Sequence, residues 1–137
     1  MKICICCSLS FTDEVKKIAD RLHELGHEVL LPNGVIVDAI HKPDFDSVEA
    51  KRGNGYDFVR EHFKKIEESD AILVCNFTKN GIDNYVGANT FLEMGFAYYV
   101  KKPIYALNPL PDYKYINDEL LNFDVMVING DLSEIKE

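Results

Sequence analysis

Asp70-Ala71-Ile72-Leu73-Val74-Cys75-Asn76-Phe77, then, past a glycine-bearing loop, Asn89-Thr90-Phe91-Leu92-Glu93-Met94-Gly95-Phe96-Ala97-Tyr98-Tyr99-Val100, then Lys101-Lys102-Pro103 and Ile104-Tyr105-Ala106-Leu107: these pieces decide the fold. The first is a short apolar run and predicts a central strand. The second is apolar almost all round, which predicts a buried helix. The third is another apolar run, too short for a helix and closed by Asn108-Pro109, and predicts the next strand. Strand, helix and strand in that order imply a parallel pair with a right-handed crossover.

Working outward, the same alternation continues. An apolar run over 2–7 predicts a first strand. Val15, Ile18, Ala19, Leu22 and Leu25 have helical spacing over 12–25, with Thr12 or Asp13 as the cap and Gly26 as the stop. A second strand is predicted over 27–31, ended by Pro32-Asn33-Gly34. Residues 35–55 are polar and turn-rich, a candidate substrate cover. An amphipathic helix is predicted over 56–69, a further helix over 113–121, a last strand over 125–128 and a short terminal helix over 131–137. The fold class is therefore α/β: one domain over 1–137, a flavodoxin-like (Rossmann-like) three-layer sandwich with a five-stranded parallel sheet in the order 2-1-3-4-5. Ligands in such sheets bind at the carboxyl ends of the strands, where the order reverses between strands 1 and 3. That rule selects the loop after Cys7, the loop after Asn76 and the start of the helix that carries Glu93.

Glu93 is the one charge between Phe91 and Val100. A carboxylate in such company must be paired, protonated or used, because burial of a bare charge is costly. Two readings compete. Thr90-x-x-Glu93 fits a capping box, with Glu93 in the first turn of its helix; alternatively Glu93 is a reacting group.

The 137 residues suffice for one domain with a sizeable core, and the formal net charge of −8 excludes a binder of nucleic-acid backbones, which needs a basic patch. The start of the chain has no signal-peptide pattern and no apolar run suits a bilayer, so the expectation is a cytoplasmic protein with no membrane partner. Cys4, Cys6, Cys7 and Cys75 form no C-x-x-C and no zinc-finger spacing, so buried reduced thiols are expected and no metal or other cofactor is implied. A cysteine phosphatase would need an arginine where Thr12 and Asp13 stand. A phospho-receiver would need acids where Cys7-Ser8 and Asn76 stand. Ser8-Leu9-Ser10-Phe11-Thr12 has hydroxyls but no glycine for a flavin phosphate, and no G-x-G-x-x-G is present.

Ser69-Asp70-Ala71-Ile72-Leu73-Val74, then Gly87-Ala88-Asn89-Thr90-Phe91-Leu92-Glu93-Met94-Gly95-Phe96-Ala97, then Lys102-Pro103-Ile104, resembles the nucleoside 2-deoxyribosyltransferase superfamily, which includes deoxynucleoside 5′-monophosphate N-glycosidases. The matching block covers 62–107, and Val127-Ile128-Asn129-Gly130-Asp131-Leu132-Ser133 looks like the ending of a branch apart from the best-known enzymes. The resemblance implies that Glu93 is the nucleophile, attacking C1′ of the sugar to give a glycosyl-enzyme that water or a second base resolves. A carboxylate near a helix N-terminus would be held ionised by the dipole.

The family's acid, eight residues before the strand-3 aspartate, falls on His62, which can protonate a leaving base; an ordinary histidine on an amphipathic helix fits equally, and Asp57 is a less favoured substitute. Where transferases carry an aspartate six residues before the nucleophile, this chain has Gly87, a departure that counts against base transfer and deoxyribose preference and, set against Glu93 and His62, points toward a binding module. Asn89 and Thr90 are candidates for a sugar hydroxyl or phosphate, or caps. Ser8 and Ser10 follow strand 1, where the family contacts substrate. Asn84 and Tyr85 are candidates for closing over a base, Arg52 and Arg60 for a phosphate, and Asp70 reads as structural. The expected partner is a small-molecule nucleoside or nucleotide. The expected assembly is a homodimer or larger, with Phe96, Tyr98 and Tyr99 as interface or core. The alternative is a binding or sensing module with the same pocket. A cytokinin-activating phosphoribohydrolase is disfavoured because its Pro-Gly-Gly-x-Gly-Thr loop is missing.

Overall fold

The structure, a computed structural model, describes residues 1–33 and 57–136. The candidate cover over 35–55, with Arg52, lies outside the described residues.

Five parallel strands are joined by helices: β1 (Lys2–Cys6), α1 (Thr12–Glu24), β2 (Glu28–Leu30), α2 (Phe58–Glu68), β3 (Ala71–Val74), α3 (Ala88–Tyr99), β4 (Ile104–Ala106), α4 (Asn117–Asn122) and β5 (Met126–Val127). The sheet order is β2-β1-β3-β4-β5, the flavodoxin-like order expected from the sequence. The register pairs Ile3 with Val29, Cys4 with Ile72, Leu73 with Tyr105 and Ala106 with Val127.

β3 and β4 are buried along their whole length because helices cover both faces, which is why they read as unbroken apolar runs. Side chains alternate across the sheet, so β1 feeds two cores. Ile3, Ile5 and Cys7 pack with Val15, Ala19 and Leu22 of α1 and with Leu132 and Ile135. Cys4 and Cys6 point the other way, toward Ile66 of α2, Met94 and Ala97 of α3 and Leu120 of α4. On that second face Phe63 and Phe96 stack with centroids 4.2 Å apart, locking α2 against α3.

Several boundaries differ from expectation. α1 is not capped by Thr12 or Asp13. A 3-10 turn, Leu9–Phe11, runs into it, Ser8 caps that turn, and the Thr12 hydroxyl donates back to the Leu9 carbonyl at 3.0 Å. Gly26 stops α1 in the left-handed region at φ 91°, as a helix-ending glycine does. α4 starts four residues later than expected because Asn117 accepts from the Tyr113 N–H at 2.8 Å and closes 113–116 into a turn. The terminal helix is one 3-10 turn, Leu132–Glu134, capped by Asp131. Asp70 is structural, accepting from the Lys2 N–H at 2.7 Å where β1 begins. No helix among the described residues is long and apolar enough to cross a membrane.

Candidate active site

Gly87 is the N-cap of α3, extended at φ −80° and ψ 174°, so the helix begins at Ala88 rather than after Thr90. Glu93 is thereby carried into the second turn. The Thr90–Glu93 capping box does not form, and a first-turn dipole does not hold this carboxylate. At this N-cap a Cβ on residue 87 would come within 3.1 Å of the Tyr85 side chain, and glycine lets the two meet there. Thr90 turns into the core, and Asn89 is exposed in the first turn.

From the second turn Glu93 reaches down between α2 and the sheet. Its side chain is 14% exposed, and Oε2 lies 3.1 Å from Nε2 of His62, whose side chain is 8% exposed. His62 is thus buried rather than half-buried on its helix, with Glu93 as its charged neighbour. The same Nε2 lies 3.4 Å from Sγ of Cys4 and 3.4 Å from Sγ of Cys6. The contact with Glu93 is short but not aligned: Oε2 is out of water and has no hydrogen-bond donor among the described residues.

Burial pushes the Glu93 carboxyl up to about 7, against the opposing pull of His62 and of the Cys6 thiol. Burial pulls His62 down, but contact with Cys4 and the charges of Glu93 and Cys4 outweigh it, so the imidazole is net raised. Both groups are thus shifted toward their protonated forms. Cys6 is pushed well up by burial, with Cys4 and Glu93 adding to it. Cys4 is lowered to about 6, chiefly by the hydrogen bond from Cys6, with burial opposing. All four cysteines are free and buried, as expected.

A second group assembles in the loops after β1 and β3. Lys79 Nζ donates to Ser8 Oγ at 2.9 Å, Ser8 donates to Ser10 at 3.4 Å, and the Lys79 ammonium lies 5.2 Å from the centre of the Tyr85 ring. Ser8, Ser10, Tyr85 and Gly87 are thus drawn into one neighbourhood. Asn84 is spent on the turn, left-handed at φ 56° with its N–H on Thr78 Oγ1. Tyr113 lies near Tyr85. Its hydroxyl is out of water with no partner among the described residues, and its phenol is raised by that desolvation first and by Tyr85 second. Lys79 and Tyr113 were missed in the sequence: a lone loop lysine and a tyrosine inside a predicted helix carry no signal of their own.

The less favoured candidates fall away from Glu93. Asp57 caps α2, accepting from the Arg60 N–H at 3.0 Å, and Arg60 pairs with Asp57 in turn. Phe96 packs on Phe63, whereas Tyr98 and Tyr99 are exposed. A cavity of about 300 Å³ lined by Met1, Leu25, His27, Ser133, Ile135 and Lys136 sits where the strands begin, away from the Glu93 cluster.

No protein-family model matches the chain, and no curated protein does. Solved structures do. One is 2-deoxyribosyltransferase from the psychrotolerant bacterium Bacillus psychrosaccharolyticus, 21% identical, with a TM-score of 0.56 over 82% of this chain and 76% of that one. Another is the CMP N-glycosidase BcmB of Clostridium botulinum, 20% identical, with a TM-score of 0.50 over 94% of this chain and 90% of that one. A third is FerB, a flavoenzyme NAD(P)H:acceptor oxidoreductase from Paracoccus denitrificans, 16% identical, with a TM-score of 0.51 over 99% of this chain and 79% of that one. The likeness is one of fold: a parallel flavodoxin-like sheet. All three of these proteins are enzymes, by their names a 2-deoxyribosyltransferase, an N-glycosidase and an oxidoreductase.

Proposed function

We propose that this chain is an enzyme acting on the N-glycosidic bond of a nucleoside or nucleoside 5′-monophosphate. The observation that carries the reading is the Glu93–His62 pair, two ionisable groups from adjacent helices held 3.1 Å apart and largely out of water. With the proton on His62, Glu93 is a carboxylate able to attack C1′. The C1′–N bond breaks, its electrons go to the base, and the His62 proton neutralises that base as it leaves. Water then adds at C1′, Glu93 departs as carboxylate, and the proton that water gives up returns to His62.

The loop group fits the rest of a nucleotide. Lys79 with Ser8 and Ser10 offers a positive charge and hydroxyl donors for a 5′-phosphate. Tyr85 offers a ring face for the base, with the unpartnered Tyr113 hydroxyl beside it. Gly87, where transferases of the resembling superfamily carry an aspartate, favours water over a second base as acceptor.

The test is release of free base, followed by chromatography, from a panel of ribo- and deoxyribonucleosides and their 5′-monophosphates. The wild type is expected to release base from at least one member, Glu93→Gln from none, and His62→Asn about 10²-fold more slowly. Binding without release across the panel would refute the enzyme reading and favour a nucleotide-sensing module. Equal release by Glu93→Gln would remove the nucleophile assignment.

A further inference from the structure

The cysteine–histidine–glutamate cluster is more than an acid–base pair requires. Cys4 and Cys6 alternate on β1 and so present their sulfurs on one face, at 0% exposure. The Cys4, Cys6 and His62 ligand atoms lie within 4.8 Å of one another. Glu93 Oε2, from α3, lies outside that group but 3.1 Å from the imidazole nitrogen. One Nε2 is therefore flanked by two sulfurs and a carboxylate oxygen, yet it can aim one proton at most one of them. The carboxylate oxygen is left without an aligned donor. Hydrogen bonding satisfies this arrangement only in part.

We propose that Cys4, Cys6 and His62, with Glu93 as fourth ligand, form a binding site for a thiophilic divalent cation of the Zn²⁺ class. A tetrahedral shell with Zn–S about 2.3 Å and Zn–N and Zn–O about 2.0–2.2 Å has S···N edges of about 3.6 Å and N···O edges of about 3.4 Å. The two S···N separations of 3.4 Å match the first edge to within a few tenths of an ångström; Glu93 Oε2, 3.1 Å from Nε2 but outside the three-residue group, would have to turn toward the sulfurs to close the shell. Two thiolates, one neutral imidazole and one carboxylate select Zn²⁺, Co²⁺ or Cd²⁺ over Mg²⁺ or Ca²⁺, which take oxygen ligands. The ligands would carry three negative charges, which a divalent cation offsets by two. Lys65 Nζ, held by the Leu31 carbonyl at 2.7 Å, is a cation on the same flank. The way in is along Glu93, the most exposed of the four. The site stands independently of the glycosidase reading, but it touches it: a bound cation occupies the Glu93 carboxylate, so metal and attack on sugar exclude each other.

The test is a titration of chelator-treated full chain with Co²⁺, read by absorbance. The expected result is one equivalent bound, with sulfur-to-cobalt charge-transfer bands in the near ultraviolet, strong visible bands of tetrahedral Co²⁺, and their loss when Zn²⁺ is added. Cys7→Ser and Cys75→Ser should keep the bands. Cys4→Ser with Cys6→Ser should lose the charge transfer. Glu93→Gln should keep the charge transfer and bind about tenfold or more weakly. A folded wild type that shows no sulfur-to-cobalt band overturns the site without need of any variant, as do bands that survive the Cys4/Cys6 double change. Because cobalt spectra report occupancy alone, a chain that releases no base still tests the metal site. If base is released, one equivalent of Zn²⁺ should abolish it and a chelator restore it; release undiminished by bound Zn²⁺ overturns Glu93 as a ligand.

Discussion

Asn76, at 0% exposure just past β3, is an informative place to perturb the end of the sheet that holds the candidate site. Its Nδ2 donates to the carbonyls of Asn108 and Pro109 at 2.9 and 3.0 Å, and its Oδ1 accepts from the Asn108 N–H at 2.9 Å. Asn108 answers by donating its side-chain amide to the Asn76 carbonyl at 3.1 Å. The clasp ties the end of β3 to the turn after β4. Asn76→Ala removes three of these four bonds and leaves a backbone N–H and two carbonyls to find other partners. At a net ~0.5–1.5 kcal/mol per bond, the expected loss is about 3 kcal/mol. Asn76→Asp keeps one acceptor but points a carboxylate oxygen at two carbonyls, and should cost more than alanine at neutral pH. The assay is urea unfolding followed by circular dichroism, with an unchanged denaturant slope as the sign that only stability moved. Asn108→Ala removes only the fourth bond, from its side-chain amide to the Asn76 carbonyl, and should cost about 1 kcal/mol. A loss under about 1 kcal/mol for Asn76→Ala, or an aspartate variant as stable as the wild type, would refute the reasoning.

Further outcomes follow from other parts of the molecule. Ile66→Ala should cost about 2–5 kcal/mol in the same assay, since Ile66 is wholly buried against Cys4, Cys6 and Met94; a cost below ~1 kcal/mol would show that α2 collapses onto the space. The Asp131 carboxyl is held below its usual range by the Ser133 hydroxyl and N–H. A depressed carboxyl gives stability that is present above the unfolded pKa and lost as pH falls through the folded one, so Asp131→Asn should flatten part of the acid fall in the urea midpoint below about pH 4; an unchanged fall would count against the cap. Lys79→Ala should raise KM for a 5′-monophosphate on the order of tenfold and leave that for the matching nucleoside unchanged; an equal effect on both would place Lys79 away from the phosphate.

The order of elements was legible because a sheet covered on both faces writes each inner strand as an apolar run, and because Gly26 and Pro103 mark where helices stop and strands resume. Glu93 stood out as the one charge in an apolar helix, and His62 was reached by counting along a motif rather than by any property of its own. The start of α3 was misread because Thr90-x-x-Glu93 is a valid local signal, while the true N-cap, Gly87, makes no side-chain cap for a local pattern to announce. The gathering of Cys4 and Cys6 on His62 spans separations of 58 and 56 residues, and only the pairing of β1 with β3 and the packing of α2 on the sheet create it. Lys79 was invisible for a related reason: its partner Ser8 lies 71 residues away, across the switch in strand order.

The fit of the Tyr85 ring against Gly87 constrains how this loop can change over evolutionary time. A methyl group on residue 87 asks the ring to yield a few tenths of an ångström, but an aspartate asks for the space the ring fills. An acid at 87 and an aromatic at 85 therefore compete for one space, which the ring yields only by swinging aside. Relatives should show one or the other two residues apart, seldom both, and a variant that installs aspartate at 87 should tolerate it better with Tyr85 already reduced to alanine.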